Sequence, residues 1–155
     1  MTIEDDIAFL EGVPLLKRLG ANALRILAIG TESYSVQTGE VLFSPGENAD
    51  CAYVVQQGSF TLTPERPDEP ESIAEPGALL GEAALLVESP RLETAAARED
   101  SIVLRISRTM FLKMLESNPE AAQRLREVFA ARAEQAAREM DKVRDQLARG
   151  TGPQS

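Results

Sequence analysis

The chain reads Gly81-Glu82-Ala83-Ala84-Leu85 and, after a gap of four residues, Pro90-Arg91-Leu92-Glu93-Thr94-Ala95. The alanines and leucines of the first run favour a helical turn just after a glycine. Such a turn leaves backbone N–H groups of its first residues free and directs the positive end of its dipole outward. The second run sets an arginine where a loop re-enters a strand. A helix start and one arginine together suffice to hold one phosphate, because the planar guanidinium grips two phosphate oxygens at once. Glu82, in the first turn, can then accept from a sugar hydroxyl. In the plainer reading Glu82 is a helix-start acid worth a few tenths to about 1 kcal/mol, and Arg91 is a surface arginine or one salt-bridged to Glu93 or Asp50. The two residues at this spacing, next to Gly81, favour the ligand-binding reading.

Around this segment the pattern is one of short strands punctuated by glycine and proline: Tyr34–Gln37, Val41–Phe43, Ala52–Gln56, Ser59–Thr63, Ser72–Ala74, Thr94–Ala97 and Ile102–Ile106. Turns fall at Thr38-Gly39, Pro45-Gly46, Gln57-Gly58 and Pro64–Pro70. Closely spaced short strands predict a double-sheet roll or barrel, a mainly β fold with flanking helices. On the N-terminal side Ile7–Leu10 and Val13–Leu16 read as helical turns, and Ala21–Ile29 as a helix with Leu24, Leu27 and Ala28 on one face. On the C-terminal side Ser107 can cap Thr109–Glu116. Asn118 can then cap a long helix with Pro119 at its first position, unbroken to Gly150, or roughly 45 Å. The expected organisation is a roll with N-terminal helices over 1–117, the long helix over 118–149 and a frayed tail over 150–155.

Along the long helix Phe129, Ala133, Ala136, Met140, Val143 and Leu147 alternate steps of four and three. Arginines and glutamates flank them, as in a dimer seam. The first part of this stripe can instead pack on the chain's own roll. Beyond Ala136 too little roll remains to cover it, so homodimerisation is expected.

Composition narrows the chemistry. With 155 residues and 43% hydrophobic content the chain can build one real core. No apolar run approaches the roughly 20 residues of a membrane-spanning helix, and Met1–Asp6 is acidic, unlike a secretory signal; a soluble, cytoplasmic protein is expected. The single cysteine, Cys51, excludes an internal disulfide and a cysteine-cluster metal site; with no basic residue near it in sequence, it reads as a structural thiol. Histidine is absent, so histidine-dependent triads and zinc enzymes are not expected. The run Asp68-Glu69-Pro70-Glu71 reads as a solvated turn and not a metal site. Residues 1–110 hold 8 Lys/Arg against 18 Asp/Glu, and residues 111–155 hold 8 against 7. This net −9 chain therefore has no footprint for nucleic acid or for an anionic membrane surface. Any anionic ligand must be held by a local positive site.

The Gly81–Thr94 segment resembles the phosphate-binding cassette of cyclic-nucleotide-binding domains, as in the catabolite activator protein and the regulatory subunits of cyclic-AMP-dependent kinase. Its spacing matches the kinase cassette without a gap, and Gly46 with Asp50–Gly58 resembles the family's third and fourth strands and the turn after them. The similarity runs over about residues 9–145. It implies a jelly-roll fold with a long C-terminal helix, that helix forming a dimer interface in the activator. It also implies that Glu82 binds the ribose 2′-hydroxyl and Arg91 the cyclic phosphate, with Gly81 and the amides of Ala83 and Ala84 assisting. Asp50 is implied to brace the arginine, Arg132 to approach the ligand from the long helix, and Phe60, Ser72 and Ala74 to line the pocket. For Arg132 the alternative is one surface arginine among several on this helix.

Several positions depart from the family. Leu92 stands where Ala, Ser or Thr is common, which removes a hydroxyl contact, and Glu93 stands where Ala is usual. Strand alternation is expected to turn Glu93 away from the side of Leu92, sparing the phosphate its repulsion. Thr94 closes the match. Ala136 and Ala137 replace the activator's adenine-reading hydroxyl pair. The expected function is reversible binding of a cyclic nucleotide, cyclic AMP first and cyclic GMP second, by a regulatory receptor that acts through a protein partner. No further cofactor is expected. The alternative, favoured by Leu92 and Glu93, is a degenerate roll without ligand that serves as a dimeric interaction module. An enzyme pairing the carboxylates of Glu82 and Glu93 is a third and weaker reading.

Overall fold

A computed structural model of the chain describes residues 2–150. Three helices lead in: α1 (Ile3–Glu11), α2 (Pro14–Lys17) and α3 (Ala21–Gly30). Thr2 caps α1 reciprocally with Asp5: its hydroxyl accepts from the Asp5 amide at 3.2 Å, and its own amide donates to the Asp5 carboxylate at 3.1 Å. Pro14 opens α2, where a missing N–H leaves no bond unmade.

Ten strands follow: β1 (Glu32–Val36), β2 (Val41–Phe43), β3 (Asn48–Ala49), β4 (Cys51–Gln57), β5 (Phe60–Pro64), β6 (Ser72–Ala74), β7 (Leu79–Leu80), β8 (Ser89–Pro90), β9 (Glu93–Ala97) and β10 (Ser101–Ser107). They pair antiparallel in two four-stranded sheets, ordered β1-β10-β4-β7 and β2-β9-β5-β6, with β3 and β8 as a separate small ribbon. The seven strands expected from the sequence are present. The pairs β3, β7 and β8 are additions, each only two residues long; segments so short carry no readable alternation.

The alternation of β4 and β10 builds two cores. Ala52 and Val54 with Leu104 and Ile106 face the helices, joining Leu10, Leu16, Leu24, Leu27, Phe111 and Met114. Val55 and Val103, opposite one another in the register, face into the roll with Phe43, Phe60, Ala74 and Ala95. Because successive side chains point to opposite faces, these two strands are buried on both.

After β10, α4 (Arg108–Ser117) and α5 (Pro119–Gly150) complete the described chain. The Ser107 hydroxyl accepts from the Met110 amide at 3.1 Å, the cap expected. Asn118 serves differently: its side-chain amide donates to the Met114 carbonyl at 2.9 Å and so closes α4. Helix α5 is 32 residues long and starts at Pro119. Ala121 and Leu125 are buried and Val128 and Phe129 partly so, whereas every residue from Ala130 to Arg149 is exposed. Gly150 closes the helix, and the remainder of the expected tail lies outside the described residues. Among the described residues no helix is long and apolar enough to cross a membrane.

Candidate functional site

Between the β3–β8 ribbon and the start of the inserted cassette helix lies a cavity of about 340 Å³. Its walls are drawn from Gly81–Ala84, Ser89–Glu93, Phe43 and Ala49, with Pro64 and Glu69 on the side of the β5–β6 loop. Two backbone hydrogen bonds lock the cassette to the β2–β3 loop: the Arg91 amide donates to the Glu47 carbonyl at 2.8 Å, and the Gly46 amide donates to the Arg91 carbonyl at 2.9 Å.

Arg91 is 7% exposed. Its Nη2 donates to the Cys51 carbonyl at 2.8 Å and contacts Cys51 Sγ at 3.4 Å. The guanidinium lies 4.4 Å from the centre of the Phe43 ring and 5.6 Å from that of Tyr53. Nη1 rests against Gly81 and has no hydrogen-bond partner. Gly81 has a φ of 76°, in the left-handed region, and a Cβ there would collide with Arg91 Nη1. Only glycine meets both demands. The result is a buried cation held by a carbonyl, a thiol and aromatic faces, with no carboxylate partner and one donor unused.

Asp50 does not brace this arginine. Its carboxylate is 72% exposed and bonds Arg105 Nη2 at 3.4 Å. Asp50 precedes β4 and is exposed, whereas Cys51, the first residue of the strand, is buried and receives Arg91. The same geometry revises the surroundings of Cys51: Arg91 is hydrogen-bonded to its sulfur, and Arg105 is close enough to interact with it. Burial, followed by a hydrogen bond with the Cys51 side chain, pushes the Tyr53 phenol up to about 12. Tyr53 thus remains a neutral donor across ordinary pH.

The cassette helix is a single 3-10 turn, Glu82–Leu85. The Ala84 amide is spent within it, donating to the Gly81 carbonyl at 3.0 Å. Of the two amides expected to assist a phosphate, this one is therefore engaged, because a 3-10 turn closes three residues on. Glu82 lines the cavity and is ion-paired to Arg132 of α5, whose guanidinium also lies 5.4 Å from the centre of the Phe129 ring. Arg132 thus reaches the carboxylate expected to hold the sugar without itself lining the cavity.

Phe60, Ser72 and Ala74 do not line it. Phe60 and Ala74 face each other across β5 and β6 inside the roll core, and Ser72 is exposed. Thr94 is half-buried on β9 opposite Thr63, outside the lining. Leu92 is 71% exposed at the rim. Glu93, expected to turn away from Leu92's side, lines the same cavity. Strand β9 begins only at Glu93, so the alternation does not extend back to Leu92. Desolvation by burial, then the nearby charge of Glu69, raises the Glu93 carboxyl above the usual carboxylate range.

The family described as the cyclic nucleotide-binding domain matches residues 34–118, more than half of the chain. The chain belongs to the cyclic nucleotide-binding domain family. A cyclic nucleotide-binding-like protein from Brucella abortus is 41% identical, with a TM-score of 0.63, over 72% of this chain and 98% of that one. The catabolite activator protein of Thermus thermophilus is 26% identical, with a TM-score of 0.67, over 84% of this chain and 62% of that one. A cAMP-dependent protein kinase regulatory subunit from Emericella nidulans is 30% identical over 108 residues, 70% of this chain but 26% of that protein. The chain thus spans only a fraction of the curated relatives it matches. In this cyclic nucleotide-binding domain the jelly roll, the inserted cassette and the long helix take the order expected from the sequence.

Proposed function

We propose that this domain binds a cyclic nucleotide reversibly, cyclic AMP first, and serves as a regulatory receptor that acts through a protein partner in the cytoplasm. The observation that carries the reading is Arg91: a buried guanidinium with no carboxylate partner and an unused donor, at the wall of a cavity of about 340 Å³. That volume lies in the range of small-molecule sites. A singly charged phosphate would neutralise the cation, and Glu82 would accept from the ribose. Because Arg132 of α5 holds Glu82, a ligand that draws on Glu82 also acts on α5. The ligand regulates only if it binds the two arrangements of α5 with different affinity. Isothermal titration of the nucleotide-stripped chain tests the reading. Saturable binding at micromolar or tighter affinity is expected, with the ratio of cyclic AMP to cyclic GMP showing what base choice Leu92 leaves. Absence of heat and of competition at millimolar ligand overturns it. The second reading, an interaction module without ligand, is favoured by one observation: Glu93 faces the cavity where the family usually has alanine.

Pairing of two copies through α5 belongs to the same proposal. Met140, Val143 and Leu147 are 64%, 53% and 63% exposed along one stripe of the helix, beyond the reach of the roll. The ion pairs flanking them, Arg138–Glu134 at 3.9 Å and Arg144–Asp141 at 3.7 Å, are exposed and stabilise the helix only by a few tenths of a kcal/mol. Burying the stripe is what a second copy supplies. Light scattering after gel filtration is expected to give a dimer for the native chain and a monomer for Met140→Glu. A monomeric native chain at tens of micromolar sinks this part.

A further inference from the structure

The walls of the cavity carry one guanidinium, Arg91, and three carboxylates, Glu69, Glu82 and Glu93. Glu82 is balanced by Arg132. Among the described residues neither Glu69 nor Glu93 has a cationic partner within ion-pair distance. They come from different elements, Glu69 from the β5–β6 loop and Glu93 from the first position of β9, yet both line the same wall, where Glu93 feels the charge of Glu69. Arg91 is therefore the one cationic side chain in the lining, set against two carboxylates that no cation balances. For a domain expected to capture an anion this arrangement is counterproductive, unless it serves to refuse some anions.

We propose that Glu69 and Glu93 form an acidic lip that sets the charge class of the ligand, admitting a phosphate diester with one negative charge and refusing phosphate monoesters and polyphosphates. The inference rests on the cyclic-nucleotide reading and adds a specificity mechanism to it. A single ligand charge is consumed by Arg91. Any further charge finds no second cation and meets two carboxylates at the partly desolvated wall, a repulsive element of the kind that specificity requires. A cyclic nucleotide and its 5′-monophosphate share base and sugar, but the monoester carries close to two charges above its second pKa of about 6. In a cell the monoesters and triphosphates compete for the same arginine, and a pocket that recognised only base, sugar and phosphate would admit them. The Glu93 carboxyl is already pushed upward by burial and by Glu69, so its ionised form is disfavoured further by an added negative charge beside it.

The test is isothermal titration of the whole chain at one ionic strength and a pH of about 8, where the monoester is fully ionised. The ligands are cyclic AMP, cyclic GMP, 5′-AMP and 5′-GMP, and the proteins are the native chain, Glu93→Gln, Glu69→Gln and the double variant. Glutamine keeps the shape and removes the charge. Glu88→Gln, an exposed acid outside the cavity lining, is the control and is expected to change nothing. The native chain is expected to prefer the cyclic forms, and each cavity substitution to strengthen 5′-monophosphate binding on the order of tenfold while moving cyclic binding by about threefold or less. Cyclic binding with a cyclic-to-monophosphate ratio unchanged within about twofold in all three variants overturns the lip and leaves the receptor reading standing. Cyclic binding that appears only in the double variant overturns the lip as a filter of charge class, because the native wall then refuses even a single charge. No cyclic binding in any of the four proteins overturns the receptor reading, and the lip with it.

Discussion

Replacing Arg91 by alanine is expected to weaken cyclic-nucleotide binding by about thirtyfold or more, the equivalent of about 2 kcal/mol, for loss of a charge-assisted contact in a desolvated site. The melting temperature of the ligand-free chain is expected to move by only a few degrees. The two expectations come from the same geometry. The guanidinium is 7% exposed, its nearest acceptors are the neutral carbonyl and sulfur of Cys51, and its Nη1 is unpaired. A cation buried without a counter-ion loses much of its hydration and regains only part of it. Truncation therefore trades the contacts with Phe43 and Cys51 against relief of that desolvation. Arg91→Lys is expected to bind weakly as well, because a point charge cannot reproduce the fork that spans the Cys51 carbonyl and a phosphate together. Titration calorimetry and a thermal melt on the same protein check both statements. Full affinity in the alanine variant removes Arg91 from the site. A collapse in stability shows instead that Arg91 is a structural brace.

Phe60→Ala is expected to destabilise the fold by about 3 to 5 kcal/mol, the usual range for emptying a fully buried aromatic site. For a chain of this size that lowers the melting temperature by roughly 10 °C or more. Phe60 is fully buried, faces Ala74 and Ala97 in the sheet register and belongs to the roll core with Phe43, Val55 and Val103. The milder Phe60→Leu keeps most of the volume and is expected to leave nucleotide affinity within about threefold of native while still lowering stability. The pair separates two roles that the resemblance and the structure assign differently. A leucine variant that melts like the native chain but loses its ligand places Phe60 at the cavity wall; the reverse keeps it in the core.

Ser107 at the head of α4, Pro119 at the head of α5, the stripe from Phe129 to Leu147 and the seven readable strands are all local patterns. Each is set by the 3.6-residue or two-residue period, or by a cap that reaches only three residues. Gly81, Glu82 and Arg91 were also legible, because the cassette that places them is nearly continuous in sequence. What surrounds them was not. Cys51, the first residue of β4, is buried and Asp50, just before the strand, is exposed, and Arg91, forty residues away, bonds the atoms that the buried residue presents. Glu93 faces the cavity because β9 begins at that residue, a boundary set by pairing with Pro64 of β5.

Arg132 meets Glu82 across fifty residues, because α5 passes over the cassette on its way from α4. By itself the sequence determined the helices and the seven longer strands, the place of Arg91 in the cassette and the apolar stripe of α5, since helix and strand periods and caps act over a few neighbouring residues. The tertiary structure alone decided the neutral cage around Arg91, the core placement of Phe60 and the meeting of Glu69 and Glu93 at one cavity wall. Contact across tens of residues depends on which face each strand presents once the two sheets close, and no local period encodes that.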